Sequence, residues 1–325
     1  MAKILVTLSA NEKLRKAILG ALNHAGEVVF LSDLPQKERS SELAAADVLI
    51  SWSLRRELKP SEFAKLSNVK LLQLLSAGVD HMPFSRIPPT VTIASNAGAY
   101  AAQMAEHVVA MILAIDKNLL NGHNKLVKGV FDQKNVNRML DGSTCAILGF
   151  GGIGKASARR LRCFGVKILA LNTSGRTDEP VEFIGTLKDL EYVLRRADTV
   201  IVSLPLTRYT RGLIGKRELG WMKDDATLVN VARGDIINEA ALFQKLKIHA
   251  NFNAAIDTWW VEPLRQGKFK TRYPFLKLPN VLGSPHNSGI VADAMVVGAV
   301  FAAENVKRFL THERVMGVID RENYT

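Results

Sequence analysis

Residues 145–165 read CAILGFGGIGKASARRLRCFG. An apolar, strand-like run leads into Gly149-x-Gly151-x-x-Gly154, and a helical pattern follows at once. The glycine spacing alone is weak, but a strand before it and a helix after it are the context that gives it meaning. Gly149 permits the tight turn, Gly151 lets the backbone approach a pyrophosphate, and Gly154 lets helix and strand pack closely. Gly152 and Ile153 complete the turn, where the helix start offers N–H groups and a partial positive charge to phosphates. The stretch therefore predicts a dinucleotide site in a parallel α/β domain.

Eighteen positions beyond Gly154, strand KILALN ends in Asn172, where an NAD site normally carries Asp or Glu. A carboxylate there would accept bonds from the ribose hydroxyls and repel a 2′-phosphate. Asn172 is neutral, Thr173 and Ser174 offer hydroxyls, and Arg176 offers a charge-assisted bond to phosphate. The local chemistry favours NADP, with NAD as the alternative.

Outward from this stretch, strand-like runs alternate with helical patterns. KILVT (3–7), EVVFL (27–31), DVLIS (47–51), KLLQLL (70–75) and VTIAS (91–95) form one series; TCAILGF, KILALN, TVIVSLP, ATLVNVA and NAAID form a second. Such alternation predicts parallel sheets covered by helices, and two series predict two α/β domains. The expected boundaries are 1–99 plus 289–325 for a substrate-binding domain and 100–288 for a Rossmann domain, with the active site in the cleft between them. One long helix is expected from Ala101 to His123, in the core or across a subunit boundary. The last helical pattern, Val291 to Leu310, is expected to return to the first domain.

Length and composition agree: 325 residues, 47% hydrophobic and 23% charged, suit two medium domains. No apolar run reaches the ~18 residues of a membrane span. The N-terminus reads as a strand and lacks the features of a signal peptide. Cys145 and Cys163 are too few for a disulfide framework or a metal site. These features predict a soluble, cytoplasmic protein. The net charge is +12, but its Lys and Arg residues are scattered, with no basic run interleaved with aromatics, so nucleic acid is not an expected partner. An anionic cofactor and a small anionic substrate explain part of the surplus.

Three later stretches each set a reactive side chain just after a strand: Arg233 in LVNVARGDIINEAAL, Asp257 and Glu262 in AAIDTWWVEPL, and His286 in VLGSPHNSG. Ligands of open α/β sheets bind at the carboxyl ends of strands. Reduction of a 2-keto acid needs a hydride and a proton. A histidine near neutrality supplies the proton. A carboxylate on its other ring nitrogen stabilises the imidazolium and orients it, and an arginine holds a carboxylate and polarises the carbonyl. Each residue alone has a structural explanation; their joint appearance behind a dinucleotide turn points to this chemistry.

Taken with LLQLLSAGVDHM, SNAGAYAAQMAEHVVAMILA, SLPLTRYTRGLIG, SPHNSG and GVIDRENY in this order, the chain resembles the D-isomer-specific 2-hydroxyacid dehydrogenases over nearly its whole length. The resemblance implies that Arg233 binds the substrate carboxylate and keto oxygen, and that His286 is the general acid with Glu262 as its partner. It implies that the N–H groups of Ala77, Gly78 and Val79, beside Ser76, receive the substrate carboxylate. Asp257 and the backbone around Val231 and Ala232 would hold the nicotinamide carboxamide. Met104, Leu204, Pro205, Thr210 and Ser288 would line the cofactor. A homodimer built on the nucleotide domains and the long helix is expected. Trp52, after strand DVLIS, is a candidate for the substrate side, but a buried aromatic anchor is the reading favoured for it.

The Trp259–Trp260 pair and Phe131 depart from the usual pattern, and packing is the expected role of the pair. Formate dehydrogenases share the architecture but replace the histidine's acid by glutamine, so Glu262 argues against formate. The chain ends soon after the closing helix, which disfavours an added regulatory domain. The expected activity is NAD(P)-dependent reduction of glyoxylate, hydroxypyruvate or a related acid. Phosphite dehydrogenase and a dinucleotide-sensing corepressor of the same fold are the rival readings.

Overall fold

A computed structural model describes residues 1–324 and divides the chain into two compact units: Met1–Tyr100 with the segment from Val291 onward, and Ala101–Ile290. The first unit runs β1 (Lys3–Val6), α1 (Glu12–Leu22), β2 (Glu27–Phe30), α2 (Gln36–Ala45), β3 (Val48–Ser51), α3 (Leu54–Glu57), β4 (Leu71–Leu74) and β5 (Thr92–Ala94). The five strands are all parallel, in the order β2-β1-β3-β4-β5. β3 and β4 are buried on both faces, as expected of strands between helical layers.

Gln73 is polar, fully buried and central in β4; its amide accepts from Asn305 at 2.6 Å and donates to the Leu74 carbonyl at 2.9 Å. Asn305 lies on the closing helix, Ala294–Leu310, which packs on α1 and β4 through Ala299, Ala302, Ala303 and Val306. The helix thus returns to the first unit. It starts three residues later than the sequence pattern suggests, after Asp293 in a left-handed conformation (φ 61°).

The second unit contains α4 (Ala101–Asp116), α5 (Leu119–Val127), β6 (Thr144–Leu148), α6 (Gly152–Arg162), β7 (Lys167–Leu171), β8 (Phe183–Gly185), α7 (Leu190–Arg196) and β9 (Thr199–Val202). It continues with α8 (Lys216–Trp221), β10 (Thr227–Asn230), α9 (Glu239–Ile248), β11 (Asn253–Ile256), α10 (Pro263–Gln266) and β12 (Val281–Gly283). Its parallel sheet has the order β12-β11-β10-β9-β6-β7-β8. The order reverses between β6 and β9, which pair through Ala146 and Val200. That switch point is where an open α/β sheet forms a ligand crevice. Two apolar layers cover its faces, one around Leu148, Val202, Leu228 and Phe252, the other around Ile147, Ile168, Ile201 and Val229.

The runs read as strands all form strands, but one expected helix does not hold. The single helix expected over Ala101–His123 is two helices, because Asn118 takes a left-handed conformation (φ 51°) and its carbonyl side chain accepts from Asn121 at 3.0 Å. Asparagine tolerates that conformation, and no apolar periodicity reports it. The short edge strand β8 carries too little pattern to read. Among the described residues no helix is long and apolar enough to cross a membrane.

Candidate active site

The glycine turn joins β6 to α6. Gly149 has φ +98°, and a Cβ there would lie 2.7 Å from the carbonyl group of Ser203. A Cβ on Gly154 would collide with the Gly149 carbonyl oxygen and sit 3.0 Å from Ile147 on β6. Gly151 differs: a Cβ there would meet no protein atom within 4 Å. The first and third glycines are demanded by the fold itself, whereas the second faces open space, as a position reserved for a ligand should. Gly151 and Gly152 are exposed, Ile153 is half-buried, and no side chain caps the helix. Its first N–H groups have no intrahelical partner. These features fit a dinucleotide pyrophosphate.

At the end of β7 the Asn172 amide builds the turn. Its Oδ1 accepts from the N–H groups of Gly175 (2.7 Å) and Ser174 (3.1 Å), and its Nδ2 donates to the Arg176 carbonyl (2.8 Å). Thr173 and Ser174 are exposed. The exposed Arg176 guanidinium makes no hydrogen bond or ion pair among the described residues. The acids that follow are engaged elsewhere. Asp178 pairs with Lys155 (2.6 Å) and Glu179 with Arg159, both on α6, and these cations hold the two carboxyls below their ordinary range. The loop therefore presents one cation and no uncommitted carboxylate.

Arg233, Asp257, Glu262 and His286 all belong to the second unit. Asn230, buried at the end of β10, staples the turn that carries Arg233: its Nδ2 donates to the Arg233 carbonyl (3.0 Å), and its Oδ1 accepts from Ala232 N–H (3.1 Å). Gly234 lets this turn sit on the next one, since a Cβ there would meet the Trp259–Trp260 peptide at 2.5–2.7 Å. The half-buried Arg233 guanidinium donates to the Ala232 carbonyl at 2.7 Å.

His286 follows β12, and its Nδ1 lies 2.8 Å from Glu262 Oε2. The other Glu262 oxygen accepts the Trp259 N–H at 2.7 Å. Glu262 is buried while the His286 ring is about one-third exposed. With Nδ1–H donated to the carboxylate, Nε2 is the nitrogen left for other chemistry. Asp257 is completely buried just after β11 and accepts from Ser284 Oγ–H (2.6 Å), Asn287 N–H (3.1 Å) and Ser288 N–H (3.3 Å).

Of the remaining predicted cofactor neighbours, Val231 and Ala232 are buried beside Arg233, Leu204 is half-buried and Pro205 exposed after β9. The Thr210 hydroxyl is committed to its own loop, donating to the Pro205 carbonyl (2.6 Å) and accepting from Thr207 N–H (2.8 Å). Met104 is half-buried on α4, and Gly289 lies against it. Ser288 Oγ is buried without a hydrogen-bond partner.

Ser76, Ala77, Gly78 and Val79 follow β4 in the first unit. The Ser76 hydroxyl is likewise buried and unpartnered, and among the described residues no hydrogen bond uses the N–H groups of Ala77, Gly78 or Val79. Unpaired buried donors are uncommon and mark where a ligand can complete the set. Trp52, at the end of β3, is 38% exposed, so it is not a buried anchor; its N–H and that of Ser53 donate to Glu57.

The tryptophan pair packs: Trp259 donates its indole N–H to the Ser284 carbonyl, and Trp260 donates to Ile237 while stacking on Phe275. Phe131 is exposed. Sequence reasoning passed over Asn230, Ser284 and His107. Asn230 carried one signal, an Asx residue closing a strand before a turn; the other two become visible only through their contacts.

Residues 109–288 match the family model described as D-isomer specific 2-hydroxyacid dehydrogenase, NAD binding domain. The chain is 30% identical to the hydroxypyruvate reductase of Thermotoga maritima over 87% of this chain and 92% of that one. It is 29% identical to the D-3-phosphoglycerate dehydrogenase of Methanocaldococcus jannaschii over 99% of this chain, which spans 60% of that enzyme's length. A solved D-isomer specific 2-hydroxyacid dehydrogenase family protein from Aeromonas salmonicida superposes with a TM-score of 0.77 at 26% identity, covering 98% of this chain and 99% of that one. With that match across most of the nucleotide-binding unit, the chain belongs to the D-isomer specific 2-hydroxyacid dehydrogenase family.

Proposed function

We propose that the chain is a nicotinamide-dependent reductase of a small 2-keto acid, glyoxylate or hydroxypyruvate first, using NADP in preference to NAD. The observation that carries the reaction is the Glu262–His286 contact. It fixes the ring and leaves Nε2–H to protonate a keto oxygen. The cofactor, when bound, supplies the hydride. Arg233 holds the substrate carboxylate and draws electron density from the carbonyl. In the first unit, the unpaired amides of Ala77, Gly78 and Val79, with Ser76, offer donors for a substrate carboxylate, and Trp52 is assigned to the substrate side. Glu262 stabilises the imidazolium in the oxidation direction.

Gly149, Gly151, Gly152, Ile153 and Gly154 would hold the pyrophosphate, with Leu204, Pro205, Thr210, Met104 and Ser288 along the cofactor. Asp257 and the backbone around Val231 and Ala232 would hold the carboxamide. Support for NADP comes from the unpaired Arg176 and from a turn with no uncommitted carboxylate. A homodimer is supported by an apolar surface on α5 and the segment after it, where Leu126, Val127, Phe131, Val136 and Met139 are all more than half exposed. We place the enzyme in the cytoplasm.

A panel of 2-keto acids, with phosphite and formate beside it, run with both cofactors tests the assignment. Turnover of glyoxylate or hydroxypyruvate with NADPH is expected. His286→Ala should abolish reduction and leave the cofactor Kd within about twofold, since the ring acts on the substrate. No turnover of any 2-keto acid, or a large loss of cofactor binding in that variant, would reject the reading.

A further inference from the structure

His286 is a non-glycine residue with a left-handed backbone (φ 52°), and its surroundings hold it there. The clamp is Asp257. Its carbonyl accepts the His286 N–H at 2.9 Å, and its carboxylate accepts the next two N–H groups, Asn287 at 3.1 Å and Ser288 at 3.3 Å. One buried residue thus grips three successive amides of the loop that aims the imidazole.

The carboxylate is itself held from behind. Ser284 Oγ lies 2.6 Å from Asp257 Oδ1 and 3.0 Å from Nε2 of His107 on α4. Asp257 is completely buried, and His107 Nε2 lies 3.8 Å from the same oxygen. A serine hydroxyl has one proton. The ionised carboxylate can only accept, so that proton points at Asp257, and Ser284 receives the Nε2–H of His107. The contacts therefore fix a chain of donors from His107 through Ser284 to Asp257, whose oxygens also accept from the His286 loop. Nothing in the proposed chemistry uses His107 or Ser284.

We propose that His107 and Ser284 are positioning residues for the proton-transfer step: they orient the Asp257 carboxylate, which sets the backbone of the His286 loop. The inference rests on the reading of His286 as the general acid. Displacement of a reacting group by about 1 Å costs on the order of 100-fold in rate, so loss of this chain should lower kcat by more than it weakens the cofactor, which Asp257 is also proposed to hold.

The test uses the full chain in four variants: Ser284→Ala and His107→Phe break the donor chain, and Ser284→Thr and His107→Gln retain a hydroxyl and an N–H at the same places. Backbone hydrogen exchange at Asn287 and Ser288 is read on the protein alone, and kcat, keto-acid KM and cofactor Kd are read by steady-state kinetics and titration. Ser284→Ala and His107→Phe should speed exchange at both amides and lower kcat about 10- to 100-fold, with a smaller rise in cofactor Kd. The conservative variants should recover most of both. Because the residues form one chain, the Ser284→Ala/His107→Phe double variant should be little worse than either single variant.

Wild-type kcat in both breaking variants, with turnover by the parent enzyme, overturns this inference and leaves the proposed function standing. So does an equal fall of kcat and cofactor affinity that the conservative variants fail to recover, the mark of a general structural role. Absence of turnover by the parent enzyme overturns the proposed function, and this inference with it.

Discussion

Replacing Arg176 by alanine isolates the charge in the turn after β7. Main-chain and Asn172 groups build that turn, and the substitution leaves them in place: Asn172 Nδ2 binds the residue-176 carbonyl, and Asn172 Oδ1 binds the N–H groups of residues 174 and 175. The guanidinium has no partner among the described residues, so its removal should leave the fold intact. A hydrogen bond to a charged group contributes ~1.5–3 kcal/mol, and salt screening at an exposed position brings it to the lower end. At ~1.4 kcal/mol per factor of ten, kcat/KM for NADPH should fall about tenfold. The value for NADH should stay nearly constant.

Asn172→Asp perturbs the same site differently. The carboxylate keeps the acceptor role toward Ser174 and Gly175, but it sets an oxygen against the Arg176 carbonyl, 2.8 Å from the atom that now donates to it. The lost bond and the repulsion together cost about 1–3 kcal/mol of local turn stability. The cofactor ratio should move toward NADH, because a 2′-phosphate is repelled, while both cofactors bind more weakly than in the parent. Steady-state kinetics with each cofactor at saturating keto acid reads both effects. An NADPH/NADH ratio unchanged in both variants refutes this account of the turn and leaves the family assignment untouched.

The glycine turn gives a contrasting pair. Gly151→Ala meets no protein atom, so Tm should hold while dinucleotide affinity falls at least tenfold; Gly154→Ala drives a methyl into the Gly149 carbonyl and should lower both, with overpacking costing about 1–3 kcal/mol. Thermal melts and cofactor titration separate the two; equal behaviour would reject the division of roles. A pH effect is expected in the first unit. Burial opposes ionisation of Glu62, but Arg39 at 2.9 Å and the Lys59 N–H at 2.7 Å outweigh it and hold its carboxyl below the ordinary 4.5. A lowered folded pKa stabilises above the unfolded value and loses that contribution as pH falls through the folded one. Glu62→Gln should therefore cost about 3 kcal/mol near neutrality and flatten the acid side of the stability curve, as read by urea unfolding between pH 7 and 3; an unchanged acid limb would reject it.

The sequence by itself determined the two parallel sheets, because their central strands, such as β3, β4, β9 and β10, are short apolar runs buried on both faces that alternate with helical patterns. It also determined the glycine turn, because Gly154 serves contacts with Gly149 and Ile147 a few residues away and such local demands are written locally; the Ser203 carbonyl that crowds Gly149 comes from the end of the next strand over. Arg233, Asp257, Glu262 and His286 were legible as residues set just after strands, where a parallel sheet gathers its chemistry. The break at Asn118 was not, since it turns on the backbone conformation of one residue. Nor was the role of Gln73, whose partner Asn305 lies 232 positions away. Tertiary structure alone decided which carboxylates are committed: Asp178 and Glu179 to α6, Glu262 to the imidazole, Asp257 to the loop behind it. A side chain's charge is a property of its sequence position, but its partner is a property of space, and the 177 positions that separate His107 from Ser284 leave no trace of their 3.0 Å contact in any local pattern.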